Sequence, residues 1–270
     1  SYTTGEKKLR GLRGIQDAVE FNGYLYYCTG LVEGEVSTRK TLLSDLKSQT
    51  YVFPPETRGF DFAVTSCTAD STKIFWAGID PYGRYSGVFA TDINDNEVIF
   101  SNGSPLKTKY GRTYNSLLDI RLEDEVKGLA ISGNYLYVSH ANDISIFNRK
   151  TGAFVSNLSS QFADICSDGG FLYAISNTNI NKYSISSTGA LSLVSTSSSN
   201  GAVAISVSNG IITTTKGQED INDLTRKAFL YQGASGIWES EAGCNRIVRK
   251  LNGVINAQIA YLSMPYNISV

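Results

Sequence analysis

The segment Asn134-Tyr135-Leu136-Tyr137-Val138-Ser139 returns 36 residues later as Gly170-Phe171-Leu172-Tyr173-Ala174-Ile175. After each copy the chain makes a second apolar run and then reaches a Thr-Gly-Ala tripeptide, at residues 151–153 and 188–190. Glycine tolerates the positive φ of a tight hairpin turn, so Thr-Gly marks a hairpin in both copies. The shared pattern predicts a repeated unit of strand, turn, strand, turn and strand.

Weaker copies of this unit occur along the rest of the chain, each with a turn followed by an aromatic or β-branched run. The runs begin at Tyr24, Ile74, Tyr135, Phe171, Ile211 and Val254. Their spacings are 50, 61, 36, 40 and 43 residues. A period near 40 residues with about four short strands is typical of a β-propeller blade, and a ring of blades covers the faces that a single sheet leaves exposed. The sequence therefore predicts an all-β propeller.

The spacing predicts about six four-stranded blades in one domain of residues 1–270, and it also allows five or seven. The expected blades cover residues 13–57, 58–100, 126–160, 161–198, 200–242 and 243–270, with an insertion at residues 101–125. The segment from Val254 to the end of the sequence is too short for four strands. We therefore expect residues 1–12 to supply the missing outer strand, so that N- and C-terminal segments close the ring together.

One stretch carries a family resemblance. Residues 137–152 resemble the second and third strands of a WD40 or YVTN-type propeller repeat, with Phe147-Asn148 at the place of the Trp-Asp dipeptide. The likeness is best over residues 126–197, and the chain contains no Trp-Asp or Gly-His pair. The resemblance implies the propeller shape, in a divergent form of the repeat.

Composition and charge restrict the function. Lys and Arg number 24 against 25 Asp and Glu, so no global basic field exists to attract nucleic acid or an anionic membrane. No apolar run approaches the ~18 residues of a membrane helix, and we expect no membrane insertion. Charged residues make up only 18%, while Ser, Thr, Asn and Gly together exceed a third of the chain. This composition resembles that of viral structural and adhesion proteins, phage tail components especially.

The inventory of reactive side chains is small. His140 is the single histidine and lies in an expected turn, and the chain has neither a G-x-S-x-G nucleophile elbow nor a phosphate-binding glycine loop. Cys28, Cys67, Cys166 and Cys244 lack C-x-x-C spacing, which favours free buried thiols, with disulfides as the alternative, over a zinc site. We therefore predict no catalytic residue, no metal and no cofactor.

Three aspartates precede strand-like runs at comparable positions of the repeat. They are Asp17, Asp61 and Asp164. Such a series could place carboxylates on the central face, where a pair of them could perform glycoside chemistry. A structural aspartate that closes the preceding turn explains the series at least as well.

Two Tyr-Gly-Arg segments, each followed by a further Tyr, lie where the spacing exceeds the blade period. Insertions of this kind map to surface loops, and Tyr and Arg are frequent anchors of protein interfaces. Tyr can also stack on sugar rings. The candidate binding residues are Tyr82, Arg84, Tyr85, Tyr110, Arg112 and Tyr114. Packing of the loop with an extended Arg is the alternative.

The sequence favours a non-enzymatic scaffold whose rim loops bind a protein or glycan partner, in several copies within an assembly. The composition favours a virion component of the phage tail type or a surface adhesin, located on a virion or an extracellular surface. The first alternative is a carbohydrate-active hydrolase or lyase with carboxylates in the central face. The second is an intracellular WD40-like adaptor in the cytoplasm. No nucleic-acid partner is expected.

Overall fold

The described residues form strands and turns only. A computed structural model of the chain describes residues 15–30, 38–52, 63–80, 85–107, 113–117, 119–121, 126–140, 142–215, 229–240 and 246–260. Within these ranges there are 24 strands and no helix. This part of the chain accordingly holds no helix that could cross a membrane.

The first two blades are four-stranded antiparallel sheets. Blade 1 contains β1 (Asp17–Phe21), β2 (Tyr24–Cys28), β3 (Thr38–Leu42) and β4 (Asp45–Tyr51), in that order. Blade 2 contains β5 (Ala63–Ala69), β6 (Lys73–Asp80) and β7 (Tyr85–Asp92). A separate hairpin follows, made of β8 (Ser104–Lys107) and β9 (Thr113–Ser116), and then β10 (Asp119–Arg121) returns to pair with β7 as the outer strand of blade 2.

The remaining strands follow the same order from the centre outward. Blade 3 contains β11 (Gly128–Ser132), β12 (Tyr135–Ser139), β13 (Asp143–Asn148) and β14 (Phe154–Ser159). Blade 4 contains β15 (Asp164–Asp168), β16 (Phe171–Ile175), β17 (Asn179–Ile185) and β18 (Leu191–Ser198). The described residues of blade 5 form a two-stranded sheet of β19 (Ala204–Ser208) and β20 (Ile211–Thr215). Blade 6 contains β21 (Phe229–Gly233), β22 (Gly236–Ser240), β23 (Arg246–Leu251) and β24 (Val254–Ala260).

The inner strands form a closed ring. In chain order β1, β5, β11, β15, β19 and β21 each contact the next, and β21 contacts β1. Among the described residues, five positions of this ring hold four-stranded antiparallel blades, and the other holds the β19–β20 pair. The prediction of an all-β propeller is thereby confirmed.

Positive-φ turns explain why the repeat was visible in the sequence. Asn22 and Gly23 have φ of 49° and 78°, and Asn209 and Gly210 have φ of 52° and 75°. Two consecutive positive φ angles define the type I′ turn, which suits the twist of a two-residue hairpin. In both cases the turn joins an inner strand to the second strand of its blade.

The last blade differs from its expected boundaries. Asn252-Gly253 is another positive-φ pair, but it joins β23 to β24, so Val254 begins a fourth strand rather than a second one. Ile237 of β22 pairs with Lys250 of β23, and residues on both sides of the expected boundary at 242/243 therefore share one sheet. An Asn-Gly pair indicates a hairpin turn, but it does not indicate which two strands of the blade the turn joins. The role expected for residues 1–12 lies outside the described residues.

The expected insertion at 101–125 is only partly an insertion. Its β8–β9 hairpin lies outside the four-stranded order of blade 2. However, Asp119 pairs with Gly87 and Arg121 with Tyr85, so β10 is a blade strand. The extra residues thus separate the third and fourth strands of a complete blade, which lengthens this repeat without adding a blade.

Apolar side chains fill the spaces between blades. Trp76 is fully buried between blades 1 and 2, where its ring lies 6.3 Å from that of Tyr26. Cys28 and Cys67 belong to the same cluster and are buried cysteines outside any disulfide, as the sequence predicted, and Cys166 likewise forms no disulfide. Cys244 lies outside the described residues.

Candidate functional site

The six inner strands surround a central channel. Its volume is about 150 Å³, and every inner strand contributes to its lining. One lining residue from each strand is Asp17, Cys67, Ala130, Asp164, Ser206 and Tyr231. Ligand pockets of proteins usually measure ~300–1,000 Å³. The channel volume is therefore smaller than that of an ordinary small-molecule site.

Asp17 links the first two inner strands. Its Oδ2 accepts hydrogen bonds from Ser66 Oγ at 2.7 Å and from the backbone N–H of Cys67 at 2.9 Å, both on β5. Its Oδ1 accepts the N–H of the next residue, Ala18, at 2.9 Å. Both oxygens of this channel carboxylate thus hold backbone or hydroxyl donors, and the side chain joins β1 to β5.

Asp164 repeats this arrangement on the other side of the ring. It is the first residue of β15, as Asp17 is of β1. Its Oδ1 accepts the N–H of Ile165 at 2.9 Å, and its Oδ2 accepts the N–H of Ile205 on β19 at 3.0 Å. This geometry supports the structural interpretation of the aspartate series for both described members. Asp61 lies outside the described residues.

Burial raises the pKa values of two other titratable groups that line the channel. Burial, followed by the nearby Asp164 charge, raises the pKa of the Cys166 thiol well above its ordinary value. Burial also raises the pKa of Tyr231 to about 12. A thiol of raised pKa carries little thiolate, which is the reactive form of cysteine. These groups are poorly suited to serve as a nucleophile or as an acid–base pair at neutral pH.

Hydroxyl groups link two further pairs of inner strands. Ser167 Oγ of β15 donates to the carbonyl of Ile131 on β11 at 2.5 Å. Ser206 Oγ of β19 accepts the backbone N–H of Gln232 on β21 at 2.9 Å. The hydroxyl groups of Ser167 and Ser206, which line the channel, thus form hydrogen bonds between neighbouring inner strands.

Glu20 closes the ring between the first and last blades. Its carboxylate accepts the N–H of Ser235 at 3.1 Å, the hydroxyl of the same serine, and the indole Nε1–H of Trp238 at 2.8 Å. Trp238 is fully buried. This one side chain therefore fixes β1 against the turn between β21 and β22 and against β22 itself.

Asp70 links blades 2 and 3. Its Oδ2 pairs with the guanidinium of Arg149, and Lys73 Nζ lies 3.7 Å away. Its Oδ1 accepts the N–H of Thr72 at 2.7 Å. Burial alone would raise the pKa of Asp70, but the hydrogen bonds from Thr72 and the Lys73 charge outweigh it and hold the pKa below 3.8.

This depressed pKa predicts a pH-dependent contribution to stability. A carboxyl group whose pKa is lower in the folded than in the unfolded chain stabilises the fold at pH values above the unfolded pKa, and that contribution disappears as the pH falls through the folded pKa. We expect Asp70→Asn to lower the free energy of unfolding by about 2 kcal/mol at pH 7. The difference from wild type should shrink as the pH falls below 4 towards 3.

Urea titrations of both proteins between pH 7 and pH 3 measure this difference. Asp45→Asn is the matched control because Asp45 is exposed on β4, and it should change little across the range. A wild-type advantage over Asp70→Asn that stayed constant down to pH 3 would contradict the role given to the Asp70 charge.

The two Tyr-Gly-Arg segments lie between described, paired strands along the chain. Asp80 of β6 pairs with Tyr85 of β7, so residues 81–84 connect these strands. Lys107 of β8 pairs with Thr113 of β9, so residues 108–112 connect the second pair. The predicted binding residues within these connections lie outside the described residues; they are Tyr82, Arg84, Tyr110 and Arg112.

Tyr114 is a core residue and not a surface contact. Only 4% of it is exposed, and its ring stacks on Phe89 of β7 with centroids 5.3 Å apart. The prediction that Tyr114 binds a partner is therefore wrong for this side chain. Its large apolar ring anchors the β8–β9 hairpin to blade 2, a use of tyrosine that the sequence pattern does not distinguish from binding.

The described residues that follow the two segments, Tyr85 and Thr113, lie apart on blade 2. Ser116 Oγ accepts the N–H of Val88 at 3.1 Å, and Tyr114 lies against Phe89. Thr113, where β9 begins, consequently lies towards the far end of β7 from Tyr85. Tyr85 and Phe89 are four residues apart, or about 14 Å along a strand. The described residues that flank the two loops therefore lie towards opposite ends of β7.

His140 is buried between β12 and β13. Its Nε2 lies 2.9 Å from Ser145 Oγ, and its backbone N–H donates to the carbonyl of Asp143. It occupies the turn that the sequence predicted, but it packs inside and not at the rim. Over the described ranges, no three His, Cys, Asp or Glu side chains are grouped to hold a metal ion.

Comparisons with known proteins identify the fold. No protein-family model matches the chain, and no curated protein is similar to it in sequence. Among solved structures, the Neurospora crassa Pan2 WD40 domain is similar with a TM-score of 0.54 and 11% identity, over 88% of this chain and 75% of that one. The WD40 β-propeller domain of Doa1 is similar with a TM-score of 0.51 and 13% identity, over 92% and 83%. At such low identity the likeness establishes a WD40-like propeller fold.

Proposed function

We propose that this chain is a non-enzymatic scaffold that binds a protein partner. The proposal rests on the small volume of the central channel and on the hydrogen bonds that its aspartates already accept. Its volume is about 150 Å³, and both oxygens of Asp17 and of Asp164 accept hydrogen bonds. The groups that glycoside chemistry would need are thus used to join strands. The carbohydrate-active alternative loses its best candidates, and a binding role at the outside of the propeller is favoured.

The partner surface that we propose lies on the two Tyr-Gly-Arg loops of blade 2. Support comes from the hairpins that carry them, since β6 and β7 pair over their full lengths and β8–β9 is fixed to β7 by the Tyr114–Phe89 stack. Function often lies in loops that a rigid scaffold positions. Because the residues that flank the loops lie towards opposite ends of β7, a partner that contacts both loops is expected to extend along blade 2.

A finer assignment rests on composition. We propose that the scaffold is a structural or attachment component of a virion or a surface adhesin, present in several copies. The support is the low charged fraction of 18%, the single histidine and the abundance of Ser, Thr, Asn and Gly. A protein partner is favoured over a glycan because Tyr and Arg together are typical anchors of protein interfaces.

The loop surface is tested with Arg84→Ala and Arg112→Ala, made separately because the loops are apart. Full-length chain is used as bait in an extract of its own source, and a protein that it captures is then purified and titrated against each variant by calorimetry. We expect at least one variant to weaken binding about 5- to 30-fold, corresponding to about 1–2 kcal/mol for an arginine at an interface. The melting temperature should stay unchanged.

Lys47→Ala is the matched control, because Lys47 is an exposed basic side chain on blade 1. It should bind the partner as wild type does. If both arginine variants bound the partner with wild-type affinity, the proposal that the loops form the interface would be wrong. The wild type could also be assayed for hydrolysis or elimination of a polysaccharide. If it had this activity and Asp17→Asn or Asp164→Asn lost it, the chain would be an enzyme and the scaffold proposal would be wrong.

A further inference from the structure

One end of the propeller carries a circle of exposed apolar side chains. At this end, which we call the turn end, the first and third strands of a blade finish and the second and fourth begin. Each of the six blades exposes at least one large apolar side chain there, either in a turn or in the half of a strand nearest the turn. These residues, the apolar ring, are Leu42, Ile93, Phe154, Val155, Leu193, Val194, Ile211, Ile212, Leu251, Val254 and Ile255.

The exposure of the apolar ring is large. Ile211 and Val254 are each 67% exposed, and Phe154 is 60% exposed. Single apolar residues on a surface are normal, whereas an extended exposed set marks an interaction site. Because the blades follow one another in a closed ring, the exposed side chains recur on all sides of the propeller axis. A surface that covers them must therefore be about as wide as the propeller itself.

Two exposed charges of opposite sign lie among the apolar ring. Asp45 begins β4 of blade 1, and Lys150 lies in the turn between β13 and β14 of blade 3, so both are at the turn end. Lys47 is also exposed but lies two residues, or about 7 Å, farther along β4. Other charges of this end form ion pairs within the chain, such as Lys40 with Asp95. Asp45 and Lys150 are thus placed symmetrically on either side of blade 2.

We infer that a second copy of this chain docks turn end to turn end, about a two-fold axis that passes through blades 2 and 5. This rotation reverses the order of the blades, so blade 1 of each copy faces blade 3 of the other, and blade 4 faces blade 6. Asp45 then meets Lys150 of the other copy, twice in the dimer. Ile211 and Ile212 of blade 5 meet the same residues of the second copy. The interface is therefore self-complementary, as a two-fold interface must be.

The charges and the shape favour this occupant over others. A second copy presents an apolar circle of the same width, and the stated rotation is the one two-fold setting that brings the opposite charges of blades 1 and 3 together. A negatively charged lipid surface would attract Lys150 but repel Asp45. Each side of a standard interface uses ~20–30 residues. The eleven residues of the apolar ring, with the polar turn residues between them, are enough for an interface of this class.

This inference goes beyond the proposed partner binding and does not rest on it. Tyr85, which flanks the loop of Arg84, begins the third strand of blade 2 and so lies at the end opposite to the turn end. Neither Asp45 nor Lys150 belongs to a Tyr-Gly-Arg segment. Loss of the dimer and loss of partner binding are therefore measured with different variants, and the two proposals fail separately.

The test is the molar mass of the full chain in solution, by light scattering and sedimentation across the micromolar range. We expect a species of twice the mass of the single chain that dissociates on dilution. Asp45→Lys alone and Lys150→Glu alone each bring like charges together at two places. Each should raise the dimer dissociation constant about ten-fold or more. The double variant Asp45→Lys with Lys150→Glu restores opposite charges and should dimerise as wild type does.

A third variant tests the apolar contacts. Ile211→Lys places two positive charges close to the two-fold axis and should prevent dimerisation. Its circular dichroism and melting temperature should match those of the wild type, because the side chain is exposed. Arg246→Glu is the matched control for charge reversal, since Arg246 is exposed where β23 begins, at the end opposite to the turn end. It should leave the dimer unchanged.

Four results would overturn the inference. The first is a wild-type chain that keeps the mass of a monomer throughout the concentration range. The second is a dimer that both single charge reversals leave unchanged, and the third is a double reversal that does not regain dimerisation. The fourth is a monomer that binds vesicles of phosphatidylcholine and phosphatidylserine and loses this binding in Ile211→Lys, since the apolar ring would then cover itself with lipid.

Discussion

Replacing Glu20 with alanine should lower the free energy of unfolding by about 4 kcal/mol, because three buried or partly buried donors lose one charged acceptor. The donors are the N–H and hydroxyl of Ser235 and the indole N–H of Trp238. Hydrogen bonds to a charged group are worth about 1.5–3 kcal/mol each, and donors that share an acceptor are not fully additive. The Glu20 carboxylate also links the two ends of the described ring, beside the apolar contacts of Ala18 and Leu25 with Phe229 and Trp238.

Urea unfolding followed by tryptophan fluorescence and by circular dichroism measures this loss. For a chain of this size we expect the melting temperature to fall by roughly 10 °C. Glu239→Ala is the control on the same blade, because Glu239 pairs with Lys250 where both side chains are about 30% exposed. Exposed pairs contribute at most about 1 kcal/mol. If Glu20→Ala cost no more than this control, closure by Glu20 would be refuted.

Replacing Asp17 and Asp164 together with alanine should destabilise the ring by about 5 kcal/mol. Each carboxylate accepts a backbone N–H of the next inner strand, from Cys67 in one case and Ile205 in the other, and removal leaves these donors without an acceptor. A loss of about 2–3 kcal/mol is expected for each. The two costs should add, since the residues bridge different pairs of blades and share no partner.

The single and double variants are compared by the same urea titrations. Asp92→Ala is the control, because the Asp92 carboxylate accepts the N–H groups of Asn94 and Asn96 within its own exposed turn. It should cost about 1 kcal/mol. A double variant as stable as wild type would show that the channel aspartates are not structural, and it would reopen a chemical role for them.

The sequence predicted the strands well wherever local turn chemistry repeats. Asn22-Gly23 and Asn209-Gly210 mark the same hairpin of their blades, and the aromatic or β-branched runs after them are second strands. The pair Asn252-Gly253 has the same backbone angles but joins the third strand to the fourth. A two-residue signal reports a turn type and not a position within the blade, and the last blade was therefore misplaced.

The links between blades could not be predicted from local patterns. Glu20 and Ser235 are 215 residues apart, and nothing adjacent to either residue indicates the other. The aspartates at the starts of β1 and β15 were recognisable as a series, but their role depends on which N–H groups the next inner strand presents. Tyr114 illustrates the same limit, because a Tyr after Tyr-Gly-Arg suits both a loop contact and a buried anchor.

Amide hydrogen exchange at the blade junctions tests the central claim most directly, namely that side-chain links hold a closed ring. The relevant N–H groups are those of Cys67, Ile205, Gln232 and Ser235, which donate to Asp17, Asp164, Ser206 and Glu20. We predict that all four exchange only through global unfolding, with free energies equal within about 1 kcal/mol. Exchange of Ser235 through a low-energy local opening, while Cys67 stays protected, would contradict a ring that Glu20 closes.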